Sequence, residues 1–197
     1  MTENHIGSTV VVLTKQCWTC GNTQASVVKR KEATMPKVSS LGHIGLHVKD
    51  FPTMYDFYTR ILGFTVTDRF PPEREAVFLS AQPEVEHHEL LLASGRTAPE
   101  GAVLLQQLSM HVDSLADLKA FHKVFQEEGV KEERIITHGN TASIYFRDPE
   151  NNFLEVYYSI PVDFPQPFGE SIDIEQDDEA ILNQIDEIRK ASGKLSG

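Results

Sequence analysis

Residues 42–48 alternate cleanly between apolar and polar positions. Ile44, Leu46 and Val48 take one side; His43, Gly45 and His47 take the other. A period of two with one apolar face predicts a strand half-buried against a core. The spacing then changes to three and four. Met54, Phe57, Tyr58, Ile61 and Leu62 form the apolar stripe of a helix that Pro52 opens and Gly63 ends as a left-handed cap. Three strands are predicted next, over 64–70, 76–80 and 86–93. The same order then returns. Residues 105–112 read as a strand with Leu108, Met110 and Val112 inward and Gln107, Ser109 and His111 on the opposite face. Leu118, Phe121, Val124 and Phe125 carry a helical stripe capped by Gly129. Strands over 135–137, 141–146 and 153–158 follow, the last two joined by a turn over 148–152.

The two halves form an internal repeat, which constrains the whole fold. His43 falls on Gln107, His47 on His111 and Phe57 on Phe121, all at an offset of 64 residues. The predicted architecture is α+β: two tandem strand-helix-strand-strand-strand modules, about 39–95 and 104–160, paired into a cup-shaped sheet around a central cleft. An N-terminal arm, 1–38, precedes them. After residue 160, Pro161, Pro165 and Pro167 predict an extended linker. An acidic stretch and a helix carried by Ile181, Leu182, Ile185 and Ile188 follow. That helix is expected to pack on its own domain or on a second subunit.

Composition narrows the partners. The chain of 197 residues is 40% hydrophobic and 24% charged, an ordinary globular balance. A net charge of −11 argues against a nucleic-acid backbone, which favours a basic patch. No apolar run approaches the roughly 20 residues of a membrane span, and no secretory pattern opens the chain. A cytoplasmic protein with no membrane partner is the expectation. Cys17 and Cys20 have zinc-knuckle spacing without a second ligand pair, so they read as free thiols in the arm.

The chemistry gathers where the modules meet. The non-helix faces of both first strands look into the predicted cleft, which makes His43 and Gln107 symmetry mates. Glu155 lies between apolar Leu154 and Val156, so it points the same way. A lone carboxylate on a buried strand needs a partner, and a divalent cation is one. One imidazole, one carboxylate and one amide oxygen suit a hard or borderline ion and leave positions open for substrate. Tyr145, on the face of Ser143 and opposite Ile144 and Phe146, points into the cleft as well.

Over about residues 39–160 the chain resembles the vicinal oxygen chelate superfamily of glyoxalases, extradiol ring-cleaving dioxygenases and fosfomycin-resistance proteins. The motifs are LGHIGLHV, DFYTRILGF, HHELLL, LQQLSMHVDSL and SIYFRDPENNFLEV. The resemblance implies that His43 is the first metal ligand and Glu155 the last. The second ligand, usually histidine in the extradiol branch, falls on Gln107, so the two-histidine-one-carboxylate set is altered here. The resemblance further implies His88 as acid-base and His138 and Tyr145 as hydrogen-bonding groups around a small aromatic or vicinal-dioxygen substrate. Fe(II) is the favoured ion, with Ni(II), Zn(II), Mn(II) or Mg(II) as alternatives. A competing register places Glu89 over Glu155, giving His43, Glu89, Gln107 and Glu155, the ligand chemistry of some glyoxalase I enzymes. A metal-free binding module is the third reading. His47, His87 and His111 read as structural or pocket-lining groups. A homodimer fits the pattern, and both a one-chain and a two-chain cleft bury the same strand faces.

Overall fold

The computed structural model describes residues 13–14, 25–26, 38, 40–99, 101–102 and 105–194. In the first unit, Met1–Leu41, the strands β1 (Leu13–Thr14) and β2 (Ala25–Ser26) form an antiparallel pair. Cys17, Cys20 and the rest of the predicted arm lie outside the described residues. All that follows concerns the second unit, Gly42–Gly197.

The first module runs β3 (Ile44–Val48), α1 (Phe51–Asp56), β4 (Thr65–Arg69), β5 (Ala76–Ser80) and β6 (Leu90–Ser94). Asp50 caps α1, accepting from the Thr53 backbone N–H at 3.1 Å and its hydroxyl at 2.7 Å. The helix widens into a π-helical turn, Phe57–Ile61, and stops at Gly63, whose φ of 76° is the left-handed value. The strand order is β3-β6-β5-β4, with β3 parallel to β6 and the other pairs antiparallel. The second module repeats it: β7 (Leu108–Val112), α2 (Leu115–Glu128), β8 (Glu132–Thr137), β9 (Thr141–Arg147) and β10 (Phe153–Ser159). Its order is β7-β10-β9-β8, again with first and last strands parallel. Here the outer edge is extended by β11 (Glu170–Ser171), paired to β8.

The alternation seen in the sequence is the burial pattern of the sheets. Val48, Leu79, Leu90 and Leu92 from one sheet and Ile144, Phe146, Leu154 and Val156 from the other are buried against the helices. They join one continuous core with Met54 and Tyr58 of the first helical stretch and Leu118 and Phe125 of α2. The tail enters that core. Ile181 and Ile185 of α3 (Asp178–Ala191) are fully buried in it beside Ile172 and Ile174. Acidic residues in the first turn of α3 and Arg189 and Lys190 in its last complement the helix dipole.

The modules lock together on their helix sides. The Phe146 ring lies 4.4 Å from Phe125 and 6.4 Å from Phe57. The Tyr58 hydroxyl donates to Asp148 Oδ2 at 3.2 Å. Burial pushes the Asp148 carboxyl above its ordinary range, and burial beside that carboxylate pushes the Tyr58 phenol up as well. Glu150 Oε1 accepts the backbone N–H groups of Lys49 and Asp50 at 2.5 and 2.9 Å, while its Oε2 meets Arg96 at 3.0 Å. The Arg96 and Glu150 side chains are only 7% and 9% exposed, so this is a buried clamp between modules. Among the described residues no strand ladder joins the two sheets: β3 and β7 each pair on one side only. A groove of about 560 Å³ runs along them, lined by Ile44, Glu89 and Leu90 from one module and Leu108, Ser109 and Met110 from the other.

Several boundaries differ from the sequence reading; β8, for one, begins at Glu132 rather than 135. β6 begins at Leu90, not 86, because residues 86–89 form a bend. β7 begins at Leu108. The proline linker ends in the strand β11, which supplies partners to the otherwise open edge of β8.

Candidate functional site

Strand register assembles one half of the site. Arg134 on β8, Tyr145 on β9, Glu155 on β10 and Ser109 on β7 are direct cross-strand partners, so they form one row on the face away from the helices. Gln107 stands just before β7 on the same side. Glu155 is 5% exposed and satisfied locally: its Oε2 accepts from Gln107 Nε2 at 2.7 Å and from the Ser109 hydroxyl at 2.6 Å. Gln107 thus turns its amide nitrogen to the carboxylate. A cavity of about 490 Å³ opens over this row, lined by Gln107, Ser109, His138, Tyr145, Glu155 and Tyr157 among others.

Tyr145 is held from two sides. Burial and the Glu155 carboxylate push its phenol up to about 12, against the opposing pull of Arg134. The phenol is therefore a hydrogen-bond donor at neutral pH. His138 lies in the turn between β8 and β9. Its Nδ1 lies 2.5 Å from the Phe168 carbonyl oxygen, which can only accept, so Nδ1 carries the proton in that bond. Nε2 is then left to accept from the Tyr145 hydroxyl at 2.9 Å. The segment carrying Phe168 is anchored in turn: Gln166 Nε2 donates to the His138 carbonyl at 2.7 Å, and Lys194 Nζ donates to the Pro167 carbonyl at 2.6 Å. Gly139 is the fixed point of this arrangement. Its φ is 84°, and a Cβ there would stand 2.2 Å from the Phe164 ring.

The first module presents a different face. His43 and His88 have ring centroids 4.3 Å apart, and His88 lies equally close to Phe78. His87 Nδ1 is 2.9 Å from His88 Nδ1. Desolvation, followed by the proximity of His43 and His87, lowers the His88 pKa, so its imidazole is neutral at pH 7. Glu89 turns elsewhere. Its Oε2 accepts the Ala81 backbone N–H at 2.7 Å, and the residue lines the inter-module groove with Leu62 and Phe64. The bend over 86–89 is why alternation alone does not assign His88 and Glu89 to faces.

The sequence-predicted residues thus fall into two groups. Gln107, His138, Tyr145 and Glu155 come together; His43 and His88 come together; Glu89 joins neither. Among the described residues no hydrogen bond, ion pair or ring contact bridges the two groups. No cluster of three His, Cys, Asp or Glu side chains poised for an ion occurs among them either. As donors, one face offers a buried carboxylate beside an amide and the other an imidazole. The set fits a divalent ion only when both faces contribute. Three participants were not singled out from sequence: Ser109, Arg134 and the Phe168 carbonyl. Ser109 shares the alternating face of Gln107 and was legible in principle. Arg134 depends on register, and a backbone carbonyl leaves no mark in the sequence.

The sequence profile of the Glyoxalase/Bleomycin resistance protein/Dioxygenase superfamily matches residues 40–156. The chain belongs to this superfamily. It is 29% identical over 126 residues to biphenyl-2,3-diol 1,2-dioxygenase 2 of Rhodococcus globerulus, covering 62% of this chain and 64% of that one. It is 35% identical over 69 residues to catechol-2,3-dioxygenase of Bacillus subtilis, covering 35% of this chain and 24% of that one. The match thus spans less than two thirds of the length of these curated relatives. Among solved structures, a fosfomycin resistance protein of Listeria monocytogenes complexed with Mn(II) and sulfate superposes with a TM-score of 0.50. That match covers 64% of this chain and 96% of that one at 18% identity, a likeness of fold alone. Among the described residues no helix is long and apolar enough to cross a membrane.

Proposed function

We propose that this protein is a divalent-metal enzyme of the extradiol dioxygenase type, acting on a small aromatic substrate with vicinal oxygens. The observation that carries the reading is the buried Glu155 carboxylate, held by Gln107 and Ser109 beside the Tyr145–His138 hydrogen bond. The 29% identity to a biphenyl-2,3-diol dioxygenase supports it. Glu155, a reoriented Gln107 and His43 would hold the ion. Fe(II), when bound, would supply a Lewis acid for the two substrate oxygens and an electron source for oxygen chemistry.

The chain's own groups divide the remaining work. His88, neutral at pH 7, is the base that takes a proton from a substrate hydroxyl. Tyr145, whose hydroxyl donates to His138 Nε2 in the free protein, would turn that hydroxyl towards a bound oxygen, leaving Nε2 free to accept a proton. The isomerase reading would need Glu89 to give up its bond to the Ala81 N–H and turn towards the row of Glu155.

The site is closed by a second copy of the chain in this reading. The Glu150–Arg96 clamp and the shared core fix the modules helix side to helix side. The unpaired edges of β3 and β7 leave each first strand open to a partner. His43 and His88 of one chain would then face Gln107 and Glu155 of the other. The test is metal content and oxygen uptake, on protein purified without chelator and supplied with Fe(II) and a panel of catechols including 2,3-dihydroxybiphenyl. About one ion per chain is expected, lost in both His43→Ala and Glu155→Ala. Absence of oxygen uptake with every catechol would refute the dioxygenase assignment.

A further inference from the structure

The geometry points to an anion subsite at Arg134, and so to a substrate that carries a carboxylate beside its vicinal oxygens. This deepens the reading above and rests on it for the position of those oxygens.

Arg134 is exposed, yet it is not a free-floating surface cation. Its guanidinium carbon stands 4.3 Å over the Tyr145 ring and 5.7 Å from that of Phe153. Those two rings are themselves stacked, with centroids 5.3 Å apart and planes 17° from parallel. A guanidinium packed over aromatic rings keeps N–H groups that can bind a carboxylate through two parallel hydrogen bonds. Among the described residues the Arg134 side chain has no hydrogen bond and no ion pair. The neighbouring cation Arg147, which stacks on the other end of the ladder at 4.5 Å from Phe153, is already paired with Glu133 at 3.2 Å. Arg134 is thus the unclaimed cation of this face, in a protein of net charge −11.

It also lines a space that a substituent would fill. A cavity of about 450 Å³ is bounded by Arg134, Ile136, His138 and the segment from Pro167 to Ser171. It shares His138 with the cavity over Glu155. Arg134 and Glu155 are separated by one strand, which places their backbones about 9–10 Å apart at ordinary strand spacing. An aromatic ring held through two oxygens near Glu155 would extend over Tyr145 and bring a carboxylate towards Arg134. Glu170 also lines this second cavity and opposes an anion, which makes it a useful control.

The test uses three probes: benzoate, catechol and 3,4-dihydroxybenzoate. Dissociation constants are measured by calorimetry on the full chain, with and without Fe(II) under anaerobic conditions, for the wild type, Arg134→Gln, Arg134→Lys and Glu170→Gln. Because Arg134 is exposed, circular dichroism and Tm serve to confirm that its variants fold. We expect 3,4-dihydroxybenzoate to bind about tenfold or more tightly than catechol, the scale of a charge-assisted bidentate contact. That ratio should collapse towards one in Arg134→Gln, recover partly in Arg134→Lys and grow in Glu170→Gln. Benzoate, which lacks the vicinal oxygens, should weaken in Arg134→Gln with or without metal. If benzoate binding depends on Arg134 while catechol binds no metal-loaded protein, the anion subsite stands and the vicinal-dioxygen reading fails. If catechol binds but the preference for the carboxylated ring is absent, or survives in Arg134→Gln, the anion subsite is refuted.

Discussion

The two concave faces of this molecule are built on the same frame and do opposite things. The face of the first module is imidazole and aromatic: His43, His88, His87 and Phe78 meet through ring contacts. The face of the second is a polar row in which Glu155, Gln107, Ser109, Tyr145 and His138 satisfy one another. The edges differ too. Among the described residues no strand pairs with the outer edge of β4, whereas β8 is covered by β11 and by a tail that lies beyond the family match and reaches His138. The buried sides of the two sheets are alike, because packing decides there. The sides away from the helices differ: one gathers imidazoles, the other a carboxylate with its amide, hydroxyl and phenol neighbours.

The comparison breaks most severely if the frame itself fails. Glu150→Ala removes the clamp between modules, leaving Arg96 buried without its partner and two backbone N–H groups without an acceptor. We expect a loss of about 3–5 kcal/mol in unfolding free energy, measured by urea titration. A change under about 1 kcal/mol would mean the modules are held by the apolar core alone. The tail should matter less. Gly139→Ala forces a Cβ into Phe164 at a positive φ and should cost about 1–3 kcal/mol. It should also loosen the Phe164–Phe168 segment, seen as faster amide exchange there than in β3 or β6.

Smaller changes sharpen the contrast between the faces. Gln107→His gives the polar face the imidazole it lacks. The expected result is tighter retention of Fe(II) on dialysis; unchanged or weaker retention would show that Gln107 is not at the ion. Tyr145 supplies a pH signature. Its phenol is raised to about 12 from an ordinary 10, so between those values the folded state keeps a proton that the unfolded state has lost. Its contribution is complete below pH 10 and is lost as pH rises through 12. Tyr145→Phe should therefore flatten part of the fall in Tm above pH 10; an identical slope would place the phenol outside the Glu155 network.

Much of this fold was legible from residues alone. Alternation around His43 and Gln107 gave both first strands, Gly63 and Gly129 marked both helix ends, and the position of Glu155 between Leu154 and Val156 gave its face. The misreadings have physical causes. Alternation assumes a regular strand, and the bend over 86–89 removes that assumption where His88 and Glu89 must be told apart. Proline spacing suggested an extended linker after residue 160, but not that its backbone would pair with β8 or that the Phe168 carbonyl would hold His138. The way the modules meet was open as well, because either arrangement buries Val48, Leu92, Ile144 and Val156.

The central claim is that one working site takes one face from each of two chains. Mixing inactive variants tests it most directly. His43→Ala and Glu155→Ala are each expected to be inactive in oxygen uptake with a catechol substrate. Co-expressed and allowed to form mixed dimers, they should regain about a quarter of wild-type activity, because each mixed dimer holds one site with both groups intact. If dimers form but the mixture stays as inactive as either variant alone, each site is closed within a single chain and the account is wrong.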